Sequence, residues 1–94
     1  MKTYNRGKLL RLARTGKLVA VESYDYDDMH GESRMEKGEK TVHVLSIGEW
    51  GKDGFFNVHE SDFKSHGRAW ENENGTITLY VHSNCNYTFR EVKP

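Results

Sequence analysis

Residues 5–24 read NRGKLLRLARTGKLVAVESY, and this stretch decides the fold class. Leucine or alanine stands at positions 9, 10, 12 and 13, which fall on one arc of a helix that turns by about 100° per residue. Thr3 or Asn5 can cap the start of this helix, and Gly16 stands where the left-handed residue after its last turn would lie. Four apolar residues follow at positions 18–21, as is typical of an interior strand. The stretch therefore predicts an N-terminal amphipathic helix and, directly after it, a buried strand.

A second strong signal predicts a β-hairpin in the C-terminal third of the chain. Residues 68–72 and 76–82 flank Glu73-Asn74-Gly75, and Asn-Gly is the strongest short hairpin signal because both residues tolerate positive φ. From 76 to 82 polar and apolar residues alternate, so one face of that strand is apolar. A third strand predicted over 87–92 extends the hairpin into a meander.

A further strand is predicted over 41–48, residues 55–58 can form a short strand or a buried corner, and residues 59–66 have room for two helical turns. The sequence therefore predicts an α+β fold, in which the N-terminal amphipathic helix packs on an antiparallel sheet of four to five strands, with a short second helix. A chain of 94 residues fits one domain, spanning 1–94.

The compartment is predicted from the cysteine content and from the N-terminus. Lone Cys85 cannot form an internal disulfide, which suits a reducing environment. Charged residues stand at the N-terminus where a signal peptide would carry its apolar segment. We expect a cytoplasmic protein with no membrane partner.

Charge is balanced overall but divided along the chain. Residues 1–20 hold six basic residues and no acidic one, whereas residues 21–39 hold seven acidic residues against two basic ones. The formal net charge is zero, which disfavours a generic nucleic-acid coating protein, because such proteins are strongly basic. Any nucleic-acid contact should therefore be local.

The basic residues of the predicted helix form the first candidate site. Lys8, Arg11 and Arg14 share the helix face opposite the leucines, and Arg6 and Lys17 lie near its ends. Arginine binds phosphate and carboxylate groups through paired hydrogen bonds, so this face predicts contact with an acidic protein surface or with an RNA or DNA phosphate backbone. The alternative is a solvated helix face, neutralised by the acidic segment of the same chain.

The acidic segment over 25–40 is the second candidate site. It contains Gly31 and Gly38 and has neither helical nor strand periodicity, which predicts a mobile acidic loop. The candidate partner-binding residues at the start of this segment and directly before it are two tyrosines and three aspartates: Tyr24, Asp25, Tyr26, Asp27 and Asp28. Tyrosines are frequent anchors at protein interfaces. The alternative is a flexible segment that only keeps the protein soluble.

Histidines and the cysteine raise the question of a zinc site. His82 and Cys85 are separated by two residues, and His59 and His66 could supply the other two ligands. The spacing is not a recognised zinc pattern, and half-exposed strand histidines are the simpler interpretation. We predict no metal and no cofactor.

No catalytic motif is present, and we predict that the protein is not an enzyme. His59, Glu60 and Arg68 are the residue types that some small ribonucleases place around a phosphate, so a compact ribonuclease stays open as an alternative.

Aromatic residues are more numerous than one small sheet face needs, and most of them should form the core. The residues concerned are Trp50, Phe55, Phe56, Phe63, Trp70, Tyr80, Tyr87 and Phe89. Exposed members could stack on bases. The alternative function is therefore a small nucleic-acid-binding domain that uses the basic helix with Trp70, Tyr80 and Tyr87.

Residues 6–23 (RGKLLRLARTGKLVAVES), followed by residues 25–34 (DYDDMHGESR), resemble the small orphan proteins of bacteriophages and mobile elements, anti-CRISPR proteins included. The resemblance lies in the overall pattern of a near-neutral single domain with a basic and an acidic pole, so no functional residue is carried over. It implies a phage-encoded, non-enzymatic inhibitor in the host cytoplasm. Such a protein would block a host defence (CRISPR-Cas-like) protein or ribonucleoprotein complex by occupying its surface.

Overall fold

The computed structural model describes residues 2–27, 31–64 and 67–93. Within these ranges the chain forms seven strands and two helices: β1 (Lys2–Tyr4), α1 (Arg6–Arg14), β2 (Leu18–Asp27), β3 (Glu32–Leu45), β4 (Phe56–His59), α2 (Glu60–Lys64), β5 (Arg68–Glu71), β6 (Ile77–His82) and β7 (Cys85–Glu91). Neither described helix is long and apolar enough to cross a membrane.

The strands of the described residues form one mixed sheet in the order β1-β5-β6-β7-β2-β3-β4. β3 and β4 pair parallel, and every other neighbouring pair is antiparallel. The predicted antiparallel sheet of four to five strands is therefore wrong in the number of strands and in their pairing. β1 has only three residues, too few to show a periodicity in the sequence.

The prediction of a loop over 25–40 is also wrong for the described part of that segment. Asp25 to Asp27 continue β2, and residues 32–40 form the first part of β3, with Tyr24 opposite Met35 and Tyr26 opposite Ser33. The side chains described between Gly31 and Lys40 are exposed, so the strand needs no alternation of apolar and polar residues. Backbone pairing with β2 defines this strand, and the pattern of apolar and polar residues does not predict it. Residues 28–30, including Asp28, lie outside the described residues.

The N-terminal helix agrees with its sequence prediction. The Asn5 side chain caps α1 by accepting a hydrogen bond from the Lys8 N–H at 3.0 Å. At the other end Gly16 adopts a φ of 73°, the left-handed conformation that glycine tolerates at a helix C-terminus. The predicted hairpin is confirmed too, since β5 and β6 pair antiparallel around Gly75, which has a φ of 85°.

Both helices cover the same face of the sheet. The register places Ala20, Phe89 and Ile77 side by side on three adjacent strands. These residues belong to one buried cluster with the apolar side of α1 and with Phe63 of α2, whose ring stacks on Phe89 at 6.1 Å between centroids. Successive strand residues point to opposite faces, so the residues between the core positions lie on the other face. No described helix packs there, and we call it the helix-free face.

Candidate functional site

An aromatic pair lies on the helix-free face. Trp70 of β5 and Tyr80 of β6 alternate with the buried residues Ala69 and Leu79, so their side chains point away from the core. Their rings stack with centroids 6.1 Å apart and an interplanar angle of 29°. Both side chains are half-buried, which leaves part of each ring accessible to a partner.

A hydrogen-bond network fixes the orientation of the Trp70 ring. The Trp70 Nε1–H donates to Asn72 Oδ1 at 3.1 Å. The Asn72 amide in turn donates to Thr76 Oγ1 at 3.1 Å and to Thr78 Oγ1 at 2.9 Å. A ring held in this way loses little side-chain freedom when a partner binds, which is the property of a preorganised contact.

The polar and aromatic surface continues across the sheet from Tyr80. The register sets Tyr80 opposite Asn86, Asn86 opposite Tyr24, and Tyr24 opposite Met35. Tyr24 and Asn86 are half-buried, and the Met35 side chain is 58% exposed. These residues, together with Trp70, form a row of interface-type side chains that spans five strands, β5, β6, β7, β2 and β3.

Charges on the helix-free face are mixed in sign. Arg68 lies opposite Tyr80, and Arg90 pairs with Glu39 of β3 at 3.3 Å. Glu22 lies opposite Lys37. A face with alternating charges complements a protein surface better than a run of phosphates, which would require a basic surface.

The predicted basic site lies on α1, on the covered side of the sheet. Lys8 and Arg11 are exposed, and the Lys8 ammonium lies 5.3 Å from the centre of the Tyr4 ring. Arg6 is half-buried, whereas Lys17 is exposed in the turn between α1 and β2. The helix surface therefore remains available to a partner, but it cannot form one continuous site with Trp70 and Tyr80 across the sheet.

Arg14 forms an ion pair with a residue of the second helix. Its guanidinium pairs with the Glu60 carboxylate, which also accepts a hydrogen bond from the Lys64 ammonium at 3.0 Å. The Lys64 ammonium, together with Arg14, holds the pKa of the Glu60 carboxyl below its ordinary value, although partial burial opposes this shift. Arg14 therefore joins α1 to α2 in addition to its predicted role in binding.

The structure divides the predicted acidic site between the two faces. Tyr24 and Tyr26 belong to the helix-free face, as their register partners do. Asp25 is exposed and lies opposite Cys85, which shares the covered face with Tyr87. Asp27 is the last residue of β2. Tyr24 and Tyr26 are therefore the members of this set that lie on the same face as Trp70.

The histidines and the cysteine form no metal cluster in the described ranges, where no group of three or more His, Cys, Asp or Glu side chains converges. His82 lies opposite Cys85, and its Nδ1 accepts a hydrogen bond from the Asn84 N–H at 3.1 Å. His59 ends β4 at the far edge of the sheet. His66 lies outside the described residues.

Cys85 begins a short hydrogen-bonded chain on the covered face. Its thiol donates to the Tyr87 hydroxyl at 3.3 Å, and that hydroxyl donates to Asp62 Oδ2 at 2.9 Å. Burial raises the pKa of the Cys85 thiol, and it also raises the pKa of Tyr87. Both shifts favour the protonated form of each group. Tyr87 packs against the buried cluster, so it does not belong to a surface that could stack on bases.

The three residues considered for ribonuclease chemistry are not brought together. His59 and Glu60 adjoin each other at the end of β4, whereas Arg68 begins β5. Four strands separate β5 from β4 in the sheet. The arrangement needed around a single phosphate is absent from these residues.

Sequence reasoning missed Asn72 and Met35 as parts of the helix-free face. Asn72 stands two residues after Trp70, and the period of two along a strand could have placed both on one face. Met35 carried no such signal because it lies in the polar part of β3. Comparison of the chain with protein-family models, with curated proteins and with solved structures gives no match.

Proposed function

We propose that this protein is a non-enzymatic binding protein that docks on a partner protein through the helix-free face and blocks that partner by occupying its surface. One observation carries the proposal: both described helices pack on one face of the sheet, and the other face presents the Trp70–Tyr80 stack within a row of interface-type residues.

The composition of this face supports a protein partner. Aromatic residues, methionine and arginine are enriched at protein interfaces, and Trp, Tyr and Arg dominate their binding energy. The face combines Trp70, Tyr80, Tyr24, Met35 and Arg68. The formal net charge of zero also permits close approach to a neutral or mixed-charge surface.

The resemblance to anti-CRISPR and other small phage proteins makes a host defence protein or ribonucleoprotein complex the first partner to test. In this proposal the bound protein covers the path of the nucleic acid on that complex and carries out no chemical step. The exposed face of α1, with Lys8 and Arg11, is the second candidate surface for the same function.

The test uses the tagged protein as bait in nuclease-treated bacterial lysate, with bound proteins identified by mass spectrometry. Thr88 lies at the centre of the helix-free face, opposite Thr78 and Glu22, so Thr88→Arg places a long charged side chain there without removing a core group. We expect a stoichiometric protein or ribonucleoprotein partner, with recovery about tenfold lower for Thr88→Arg.

Glu73→Arg, at the exposed hairpin turn, is the matched control and should retain the partner. Circular dichroism melts check that each variant is folded. Retention by Thr88→Arg together with loss in Arg11→Glu would overturn the docking face in favour of the α1 surface.

A nucleic-acid-binding domain is the second candidate, and Arg68 favours it. Arg68 lies opposite Tyr80, so a cation stands next to the aromatic stack on which a base could pack. Binding to a single-stranded oligonucleotide should then weaken as salt is added, because phosphate contacts release counterions. Binding that is absent, or insensitive to salt, would exclude this candidate.

A further inference from the structure

The loop between β3 and β4 exposes two large apolar side chains. Ile47 is 105% exposed and Trp50 is 93% exposed, in a chain whose small core has few large residues. Buried aromatic side chains of this size usually remove roughly 150–250 Å² from water, so full exposure of a tryptophan forgoes a large stabilising contribution. We call residues 46–55 the Trp50 loop.

The loop is held in place by backbone and side-chain hydrogen bonds. Two turns flank Trp50, one closed by the Glu49 N–H to the Ser46 carbonyl at 3.1 Å and one by the Phe55 N–H to the Lys52 carbonyl at 3.3 Å. The exposure of Trp50 is therefore part of an ordered conformation.

Asn57 of β4 anchors the second turn to the sheet. Its Oδ1 accepts a hydrogen bond from the Lys52 N–H at 2.9 Å, and its Nδ2 donates to the Lys52 carbonyl at 3.2 Å. The Lys52 ammonium lies 4.5 Å from the centre of the Phe55 ring. The Phe55 ring and the His43 ring contact each other edge-on. This support keeps Lys52 and Phe55 against the body of the protein and leaves Trp50 pointing into solvent.

The net charge of the Trp50 loop favours a protein partner over nucleic acid or anionic lipid. Glu49 and Asp53 are acidic, and Lys52 is the one basic residue within 46–55. A slightly acidic loop is repelled by the phosphates of nucleic acid and by anionic lipid headgroups, both of which attract clusters of Lys and Arg. An apolar pocket on a folded protein lacks that repulsion.

We propose that Trp50 is an anchor residue that inserts into an apolar pocket of a partner protein, with Ile47 contacting the rim of that pocket. Preorganised aromatic anchors that fill a pocket are the typical centres of protein interfaces. This site is separate from the row of residues on the helix-free face, and it can be tested whether or not that face docks.

The first experiment places the photo-crosslinking amino acid p-benzoyl-phenylalanine at position 50 or, as a matched control, at exposed position 73. Each protein is irradiated in nuclease-treated bacterial lysate. We expect one dominant adduct with a foreign protein from position 50 and none with that protein from position 73. No adduct from position 50, or the same set of adducts from both positions, would overturn the proposal.

A second measurement tests the side chain itself. Recovery of the crosslinked protein by unmodified bait should fall about tenfold for Trp50→Ala and less than about twofold for Trp50→Phe, which keeps an aromatic anchor. Equal recovery by wild type and Trp50→Ala would overturn the proposal. Because Trp50 is exposed, neither substitution should affect folding, which a thermal melt checks.

The remaining outcomes assign the loop to a different partner. An adduct of twice the chain mass would identify a second copy of this protein as the occupant. In the Trp70→Phe variant, Trp50 is the single remaining tryptophan. A blue shift of its fluorescence when vesicles of phosphatidylglycerol and phosphatidylethanolamine are added would identify a lipid surface. Either result would overturn the assignment to a protein pocket on a foreign partner.

Discussion

The Arg14 guanidinium of α1 pairs with the Glu60 carboxylate of α2, so one ion pair joins the two helices that cover the sheet. Glu60 also accepts a hydrogen bond from Lys64 one turn later in α2. One carboxylate therefore pairs with two cations, and Arg14 contributes to the fold as well as to the basic surface of α1.

The first prediction concerns the pH dependence of this contact. The pKa of Glu60 is lowered in the folded protein, first by the hydrogen bond from Lys64 and then by Arg14. A carboxyl group with a lowered folded pKa stabilises the protein above its unfolded pKa of about 4.3, and this contribution is lost as the pH falls through the folded value. Urea unfolding should therefore show Glu60→Gln to be less stable than wild type at neutral pH, with the difference disappearing in acid.

Glu73→Gln, at an exposed turn, is the control for this measurement and should match wild type throughout. A difference between wild type and Glu60→Gln that persists unchanged at low pH would contradict the role given to the Glu60 charge.

The second prediction separates Arg11 from Arg14. Arg11 is exposed, so Arg11→Glu should change the free energy of unfolding by about 0.5 kcal/mol or less. Arg14→Glu sets a second carboxylate against Glu60 and should destabilise the protein more than Arg11→Glu does. Thermal melts at low salt measure both, and equal stability of the two variants would argue against the pair. Arg11→Glu is accordingly the cleaner probe of binding by the α1 surface.

The elements predicted correctly from the sequence are those with a local signal. Asn5, the leucines of α1 and Gly16 define the helix through capping and periodicity, and Asn74-Gly75 defines the hairpin through backbone conformation. Each of these signals depends on residues that are neighbours in the chain, and so it can be found without knowledge of the rest of the fold.

The features that were missed depend on pairing between distant segments. β1 was not predicted, and it exists because Thr3 lies opposite Trp70. The strand considered over 55–58 is present as β4, but its parallel pairing to β3, with Val42 opposite Phe56, was not predicted. Neither pairing leaves a pattern within its own few residues. Trp50 did carry a local signal, because Gly48, Gly51 and Gly54 surround it in a turn-rich stretch where a core tryptophan would be unusual.

The third prediction concerns the reactivity of Cys85. Burial raises the pKa of this thiol, and the nearby carboxylates of Asp62 and Asp25 raise it further, although the contact with Tyr87 has the opposite effect. Only the thiolate reacts with alkylating reagents, so iodoacetamide should modify Cys85 in the folded protein at least about tenfold more slowly than in urea. Mass spectrometry over time measures this ratio. Equal rates in the two states, for a protein shown to be folded, would contradict the protection given to the thiol.

The fourth prediction tests how β5 and β6 are brought together. A Cβ atom at Gly67 would lie 2.9 Å from the Val81 Cα and would collide with the Tyr80 carbonyl oxygen, both of which are backbone atoms of β6. Backbone in the middle of a sheet cannot shift cheaply, so Gly67→Ala should lower the free energy of unfolding by about 1–3 kcal/mol. Gly7→Ala is the control, because its Cβ would meet only the Asn5 side-chain oxygen at 3.1 Å and alanine favours the helix. Chemical denaturation measures the free energy of unfolding of both variants. A Gly67→Ala protein as stable as wild type would mean that the segment before β5 does not approach Tyr80 this closely.

Since Tyr80 stacks on Trp70, Gly67→Ala should also weaken binding through the helix-free face under conditions where the variant remains folded.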